Sequence, residues 1–221
     1  PGILRADRVR WVETHEWECT GMMTSPMFRI YGSRWRILAR REGSEPRRLY
    51  VYNDSNKLVD DMLIHEADLT AFKTLEGPGR FYIVQKQEDA EWTMKVRQWL
   101  EVSEEWQLRQ DLKDPAPAMQ KLASWHGGGG RQRFTFTVPE GRSWKLLCTA
   151  TDEQGTVKVR LSKPGDPEFV DYVYRDAGPM KCTYWVHVGG EYELVVDAAE
   201  ADWEAAILMS PAAGTEEEVK P

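Results

Sequence analysis

The sequence predicts an all-β protein made of two tandem antiparallel β-sandwich modules, jelly-roll-like in form, that arose by internal duplication and are joined by a short helical linker. Three observations lead there. Short runs alternate apolar and polar residues, as strands with one buried face do. Gly, Pro and Asn turn signals separate them at short intervals, the spacing of a sandwich or barrel. The third is a set of aromatic and glycine positions that recurs along the 221 residues.

Trp17, Gly21, Phe28 and Ile30 recur as Trp125, Gly129, Phe136 and Val138 at an offset of 108. Trp35 and Ile37 recur as Trp144 and Leu146 at 109, one residue having been inserted in the Pro139-Glu140-Gly141 turn. Further on, Gly79, Phe81, Ile83, Trp92 and Val96 recur as Gly190, Tyr192, Leu194, Trp203 and Ile207 at 111. Matched chemistry in one order with so small a drift points to duplication.

In chain order, residues 28–31 and 35–38 flank Gly32-Ser33 as a hairpin is expected to. Residues 49–52 alternate, and residues 80–85 form a strand after a glycine turn. Residues 90–96 alternate as well. Residues 103–113 read as a short helix with Ser103 as N-cap and Trp106 and Leu112 facing the protein, ended by Asp114-Pro115-Ala116-Pro117. In the second copy residues 134–138 and 144–146 answer each other across residues 139–143. Residues 157–161 and 191–196 follow as strands. Residues 198–209 look helical in composition, but the alternating partner segment in the first copy makes the 203–207 end a strand. The run 127–130 aligns with Gly21 and reads as a mobile turn of the second module, not a phosphate loop. The expected division is module 1 at residues 1–103, a linker at 104–120, module 2 at 121–210, and a disordered acidic tail at 211–221.

Charge narrows the partners. The net charge is −7; residues 1–103 hold 16 Lys+Arg against 16 Asp+Glu, and residues 104–221 hold 13 against 20. Neutral and acidic halves give no electrostatic reason to bind nucleic acid. No apolar run is long enough for a transmembrane helix. The start at Pro1-Gly2 reads as a trimmed or processed chain, so the absence of a leader does not assign it to the cytoplasm. The pattern Trp-x3-Gly-x6-Phe-x-Val, then Trp-x-Leu, then Gly-x-Tyr before a closing Trp, resembles small β-sandwich modules of bacterial envelope and secreted proteins. That resemblance rests on core and turn residues. It implies a fold and an extracytoplasmic rather than cytoplasmic home, and it transfers no functional residue.

Recurrence sorts the ten tryptophans. Trp17/Trp125, Trp35/Trp144 and Trp92/Trp203 are paired and read as core. Trp11, Trp99, Trp106 and Trp185 have no aromatic counterpart. Trp11, Trp99 and Trp106 bracket module 1, where they are expected to pack the modules together or to offer a stacking platform to a sugar or a partner side chain. Arg34, Arg36, Arg40 and Arg48, with Arg29, Arg41 and Arg47, form a basic stretch suited to an anion or an acidic partner.

Signs of chemistry are sparse. There is no Gly-x-Ser-x-Gly elbow, metal-spaced histidine pair, dinucleotide fingerprint or haem motif, so no cofactor is expected. Asp60, Asp61 and Glu66, near His65 and Asp68, are the calcium candidates, against the plainer reading of a solvated connection. Cys148 and Cys182 lie in the same half and are the pair able to form a disulfide; reduced, buried thiols are the alternative. The sequence therefore points to a non-enzymatic binding or structural module of the bacterial envelope or exterior with a protein or glycan partner. One alternative is a carbohydrate-binding protein using the unpaired tryptophans. Another is a hydrolase using loop carboxylates such as Asp60 and Glu66. Oligomeric state is left open.

Overall fold

A computed structural model describes residues 9–20, 22–41, 47–64, 71–86, 91–113, 118–151, 155–177 and 180–211. The chain divides into two compact units, Pro1–Pro115 and Ala116–Pro221. The first contains β1 (Arg10–Thr20), β2 (Met23–Thr24), β3 (Phe28–Ile30), β4 (Arg34–Arg41), β5 (Arg47–Asn53), β6 (Leu58–Ile64), β7 (Ala71–Glu76), β8 (Gly79–Gln85), β9 (Glu91–Leu100) and α1 (Val102–Asp111). The second contains β10 (Gln120–Gly127), β11 (Gly130–Val138), β12 (Trp144–Ala150), β13 (Thr156–Lys163), β14 (Asp166–Ala177), β15 (Met180–Val186), β16 (Gly190–Ala199) and β17 (Trp203–Met209).

Each unit is a sandwich of two antiparallel sheets. In the first the orders are β1-β9-β4-β7 and β2-β8-β5-β6, with β3 also on β8. In the second they are β10-β17-β12-β15 and β11-β16-β13-β14. With β2 and β3 counted as one segment, both units run first–eighth–third–sixth in one sheet and second–seventh–fourth–fifth in the other. This is the jelly-roll order. Pro26 accounts for the split: it has no N–H to donate to the ladder. Next to it, Ser25 keeps contact with β8 by donating its backbone N–H to the Ile83 carbonyl at 2.9 Å and accepting the Ile83 N–H at its hydroxyl, also at 2.9 Å.

The hairpin expected at Gly32-Ser33 is not one. β3 pairs with β8, whereas β4 pairs with β7 and β9, so the chain changes sheet between them. β11 and β12 do the same in the second unit, pairing with β16 and with β15 and β17 respectively. Local alternation looks the same in both cases, because a strand hides one face whether its neighbour in sequence lies beside it or across the core. Gly32 fits the crossover because a Cβ there would meet the Trp99 carbonyl oxygen at 2.2 Å. True hairpins join β5 to β6 and β13 to β14. The first closes on Asn53, whose side-chain oxygen accepts from the Ser55 and Lys57 amides, and the second turns through Gly165 at φ +82°.

Each unit has its own core. At its centre the rings of Trp17, Phe28, Trp35 and Phe81 follow one another at centroid separations of 5.5, 5.7 and 4.9 Å. They come from β1, β3, β4 and β8, and so alternate between the two sheets. Trp125, Phe136, Trp144 and Tyr192 repeat the arrangement at 5.9, 5.2 and 4.8 Å. Trp35 and Trp144 are wholly buried, and Trp92 and Trp203 nearly so. Gln98, also wholly buried, ties the two layers of the first unit at one end. Its amide nitrogen donates to the Arg29 carbonyl at 2.9 Å, and its oxygen accepts the Tyr31 N–H at 2.8 Å.

The first strands share an irregularity. The register of β1 on β9 shifts between Glu13 and His15, leaving Thr14 as a bulge, and that of β10 on β17 shifts between Lys121 and Ala123, leaving Leu122. The two bulged residues are 108 positions apart, the offset of the early sequence repeat. Replacing Phe28 by Ala removes the ring that joins Trp17 to Trp35. It is expected to lower the unfolding free energy by about 3–5 kcal/mol in urea denaturation followed by fluorescence.

Candidate functional site

The outward face of sheet β1-β9-β4-β7 gathers the residues that sequence singled out for recognition. Trp35, Ile37 and Ala39 of β4 and Trp92, Met94, Val96 and Gln98 of β9 point into the core. Alternation therefore sends Arg34, Arg36, Arg40, Lys95, Arg97 and Trp99 outward. Trp11 and Trp17 are six positions apart and would share a face in a regular strand. The bulge at Thr14 separates them, so that Trp17 lies against the core while Trp11 lies opposite Trp99 on the outer side.

There the two indoles meet at 5.3 Å. The Arg36 guanidinium carbon sits 3.7 Å from the Trp11 ring centroid, and that of Arg34 lies 5.6 Å from Trp99. Both are within cation–π range, that of Arg36 in close face contact. Arg34 is exposed, while Arg36, Trp11 and Trp99 are half-buried. Among the described residues neither Arg34 nor Arg36 makes an ion pair, and the Arg36 Nε is buried without a hydrogen-bond partner.

The next rows of the same face are neutralised. Glu13 binds Arg97 at 3.2 Å and Lys95 at 3.2 Å, and Lys95 also binds Glu16 at 2.9 Å. Glu13 is held below the usual carboxylate range, first by Lys95 and then by Arg97, against a burial effect of opposite sign. Lys95 is raised by its bonds to Glu16 and Glu13. The face thus divides into a charge-balanced part and a part where two arginines without an ion pair among the described residues lie over indoles, Arg34 with Glu76 opposite it in register.

Beside it, α1 is folded onto the first unit. Its N-cap is Glu101, not the expected Ser103, and it forms a reciprocal capping box with Glu104. The helix buries Leu108 and Glu105 instead of Trp106 and Leu112, which stand 61% and 59% exposed. A charged residue faces inward because Glu105 is clamped from two sides. Arg10 of β1 donates to it at 2.9 and 2.6 Å, and Arg109 at 3.0 and 2.6 Å. Arg10, then Arg109, push its pKa down to about 2.

The remaining candidates disperse. Arg40 lies further along the outward side of β4, paired in register with Thr93. Arg48 is on β5 in the other sheet, ion-paired with Asp61, so the basic stretch does not form one stripe. Asp60 is bonded to Lys73 instead, and as consecutive strand residues Asp60 and Asp61 point to opposite faces. They do not converge as calcium ligands or as a carboxylate pair. His65, Glu66 and Asp68 lie outside the described residues. Among the described residues no group of three His, Cys, Asp or Glu side chains is placed to hold a metal. Trp185 sits on the outer side of β15 under Lys145, whose Nζ is 5.2 Å from its ring. Cys148 and Cys182 are directly opposite on β12 and β15, with free thiols. Sequence reasoning missed the Glu105 clamp and the Glu13 network, since both are made by residues that look like ordinary surface charge.

The fold and face define a tandem jelly-roll protein with a tryptophan–arginine surface on its first unit. No protein-family model and no curated protein matches the chain. Solved structures that match the chain weakly include the PBSX exported protein XepA, at 9% identity over 91% of this chain and 86% of that one, TM-score 0.31. A conserved protein of unknown function from Pseudomonas aeruginosa PAO1 matches at 11% identity over 88% and 80%, TM-score 0.26. The turret protein A223 of Sulfolobus turreted icosahedral virus matches at 13% identity over 91% and 97%, TM-score 0.28. Among the described residues no helix is long and apolar enough to cross a membrane.

Acid is expected to destabilise the first unit in two windows. His15 stacks on Trp17 at 5.4 Å, and burial lowers its pKa from 6.5 to about 4. The unfolded chain then binds the proton first, so stability is complete above pH 6.5 and declines as pH falls toward 4. Glu105, depressed from 4.5 to about 2, adds a second decline between those values. Each group contributes at most about 1.4 kcal/mol per pH unit. Urea titrations across pH check this: His15→Phe should flatten the upper window and Glu105→Gln the lower.

Proposed function

We propose that the chain is a non-enzymatic docking protein whose first unit binds a protein partner bearing clustered carboxylates through Trp11, Trp99, Arg34 and Arg36. The observation that carries this reading is the pair of guanidiniums lying on indole faces without an acidic partner among the described residues. Contact with the rings holds the guanidiniums in place and leaves their terminal nitrogens for a carboxylate, which arginine can pair in bidentate fashion. Tryptophan and arginine together are also the residues most enriched at the energetic centres of protein interfaces. The same stacking disfavours the sugar-platform reading, because Arg36 covers one face of the Trp11 ring that a pyranose would need. Two compact units in one chain suit a structural role as well, and the resemblance of the repeat to envelope and secreted modules supports a home at or outside a bacterial envelope.

The test is binding of the intact chain to an immobilised glutamate-rich peptide, with heparin and neutral glycans as parallel surfaces. Peptide binding should weaken as salt rises. Arg34→Ala/Arg36→Ala should lose at least about tenfold in affinity with an unchanged melting temperature. Binding of glycans alone, or an affinity indifferent to the double substitution, would overturn the proposal.

A further inference from the structure

We propose that Cys148 and Cys182 form a reversible cross-strand disulfide that pins the edge strand β15 to the central strand β12. The two residues are register partners, flanked by Leu146 opposite Tyr184 and Ala150 opposite Met180. Directly opposed antiparallel residues have Cα atoms about 4.5–5.5 Å apart, inside the roughly 4.4–6.8 Å range that a disulfide spans. Both side chains lie on the core side of the sheet: Cys148 is wholly buried and Cys182 is half-buried against the same cluster. The neighbouring Cys182 thiol, together with burial, pushes the Cys148 thiol up and keeps it protonated.

The asymmetry sets the order of events. Cys182, the reachable thiol, attacks the disulfide of a small oxidant such as glutathione disulfide and releases one thiol. Cys148 then attacks the mixed disulfide at the Cys182 sulfur, passing its proton to the second departing thiolate. Two protein thiols are oxidised, one oxidant disulfide is reduced to two thiols, and the S–S bond closes. The bridge encloses β13 and β14, a loop long enough for the cross-link to restrict the unfolded chain strongly. It secures β15, which lies at the margin of its sheet and, among the described residues, pairs with β12 alone.

Incubating the intact chain with glutathione disulfide, blocking with iodoacetamide and mapping peptides without reduction tests the assignment. A peptide pair joined through Cys148 and Cys182 is expected, together with a rise of at least about 5 °C in melting temperature that dithiothreitol reverses. Cys182→Ser and Cys182→Ala should each abolish both changes, the alanine variant guarding against a folding defect from the buried hydroxyl. Full alkylation of both cysteines after oxidation, or a bridge through Cys19 instead, would overturn the proposal. Neither outcome bears on the docking face, which lies in the other unit.

Discussion

Four aromatic rings passed from sheet to sheet hold each unit together. In the first unit Trp17 and Trp35 reach down from one layer and Phe28 and Phe81 reach up from the other, each ring within 6 Å of the next. Rings of this size remove large apolar areas from water and favour the tilted and edge-on contacts seen here. Because neighbours in this chain belong to opposite sheets, the contact that stabilises one layer also fixes its distance and register against the other. The jelly-roll crossings follow from this requirement. Strands that are consecutive in sequence, β3 and β4 or β11 and β12, must face each other across the core to bring Phe28 onto Trp35 and Phe136 onto Trp144.

Filling the interior this way leaves the other side of the same strands for the proposed docking face. Residues that alternate with Trp35, Ile37 and Ala39 are Arg34, Arg36, Leu38 and Arg40, and those that alternate with Met94, Val96 and Gln98 are Lys95, Arg97 and Trp99. One backbone irregularity completes the surface. Without the extra residue at Thr14, Trp11 would point the way Trp17 does; with it, Trp11 reaches Trp99 and Arg36. The core and the surface tryptophans of β1 are thus sorted by one bulge. In the second unit the equivalent bulge carries Leu122 on β10, and Met119 stands where the repeat offset would place a counterpart of Trp11. The face is therefore a property of the first unit, and the recurring core does not carry it along.

How much of this was legible in the sequence depends on where a strand sits. The central strands β4, β5, β8, β9, β12, β13, β16 and β17 are flanked by neighbours on both edges, and most alternate as Trp144 to Ala150 does, whereas β8, buried throughout Phe81 to Gln85, is marked by the glycine turn before it. Sequence reading found all of them. Edge strands such as β1, β6, β7, β10 and β15 carry charges, glycine or a bulge, features that protect an exposed edge but blur periodicity. Those strands went unread. Strand pairing was misread at Gly32-Ser33 because alternation reports which face is buried, not which strand lies alongside. The site was legible in its parts. Absence of a repeat counterpart picked out Trp11 and Trp99, and clustering picked out Arg34 and Arg36. Their meeting depended on the bulge and on pairing of β1 with β9 across 80 or so residues, which no local pattern encodes. The inward turn of Glu105 was hidden for a similar reason, since its clamp needs Arg10 from the far end of the unit.

The central claim is that the core tryptophans and the proposed docking tryptophans are separate sets on opposite sides of one sheet. The direct measurement is a heteronuclear NMR titration of the intact chain with a glutamate-rich peptide, reading the indole N–H signals of assigned tryptophans and the Nε–H signals of arginines. The expected result is that Trp11, Trp99, Arg34 and Arg36 shift together with one saturation curve while Trp35, Trp92, Trp144 and Trp203 stay in place. Shifts confined to Trp106, or shifts shared equally by the buried indoles, would contradict it.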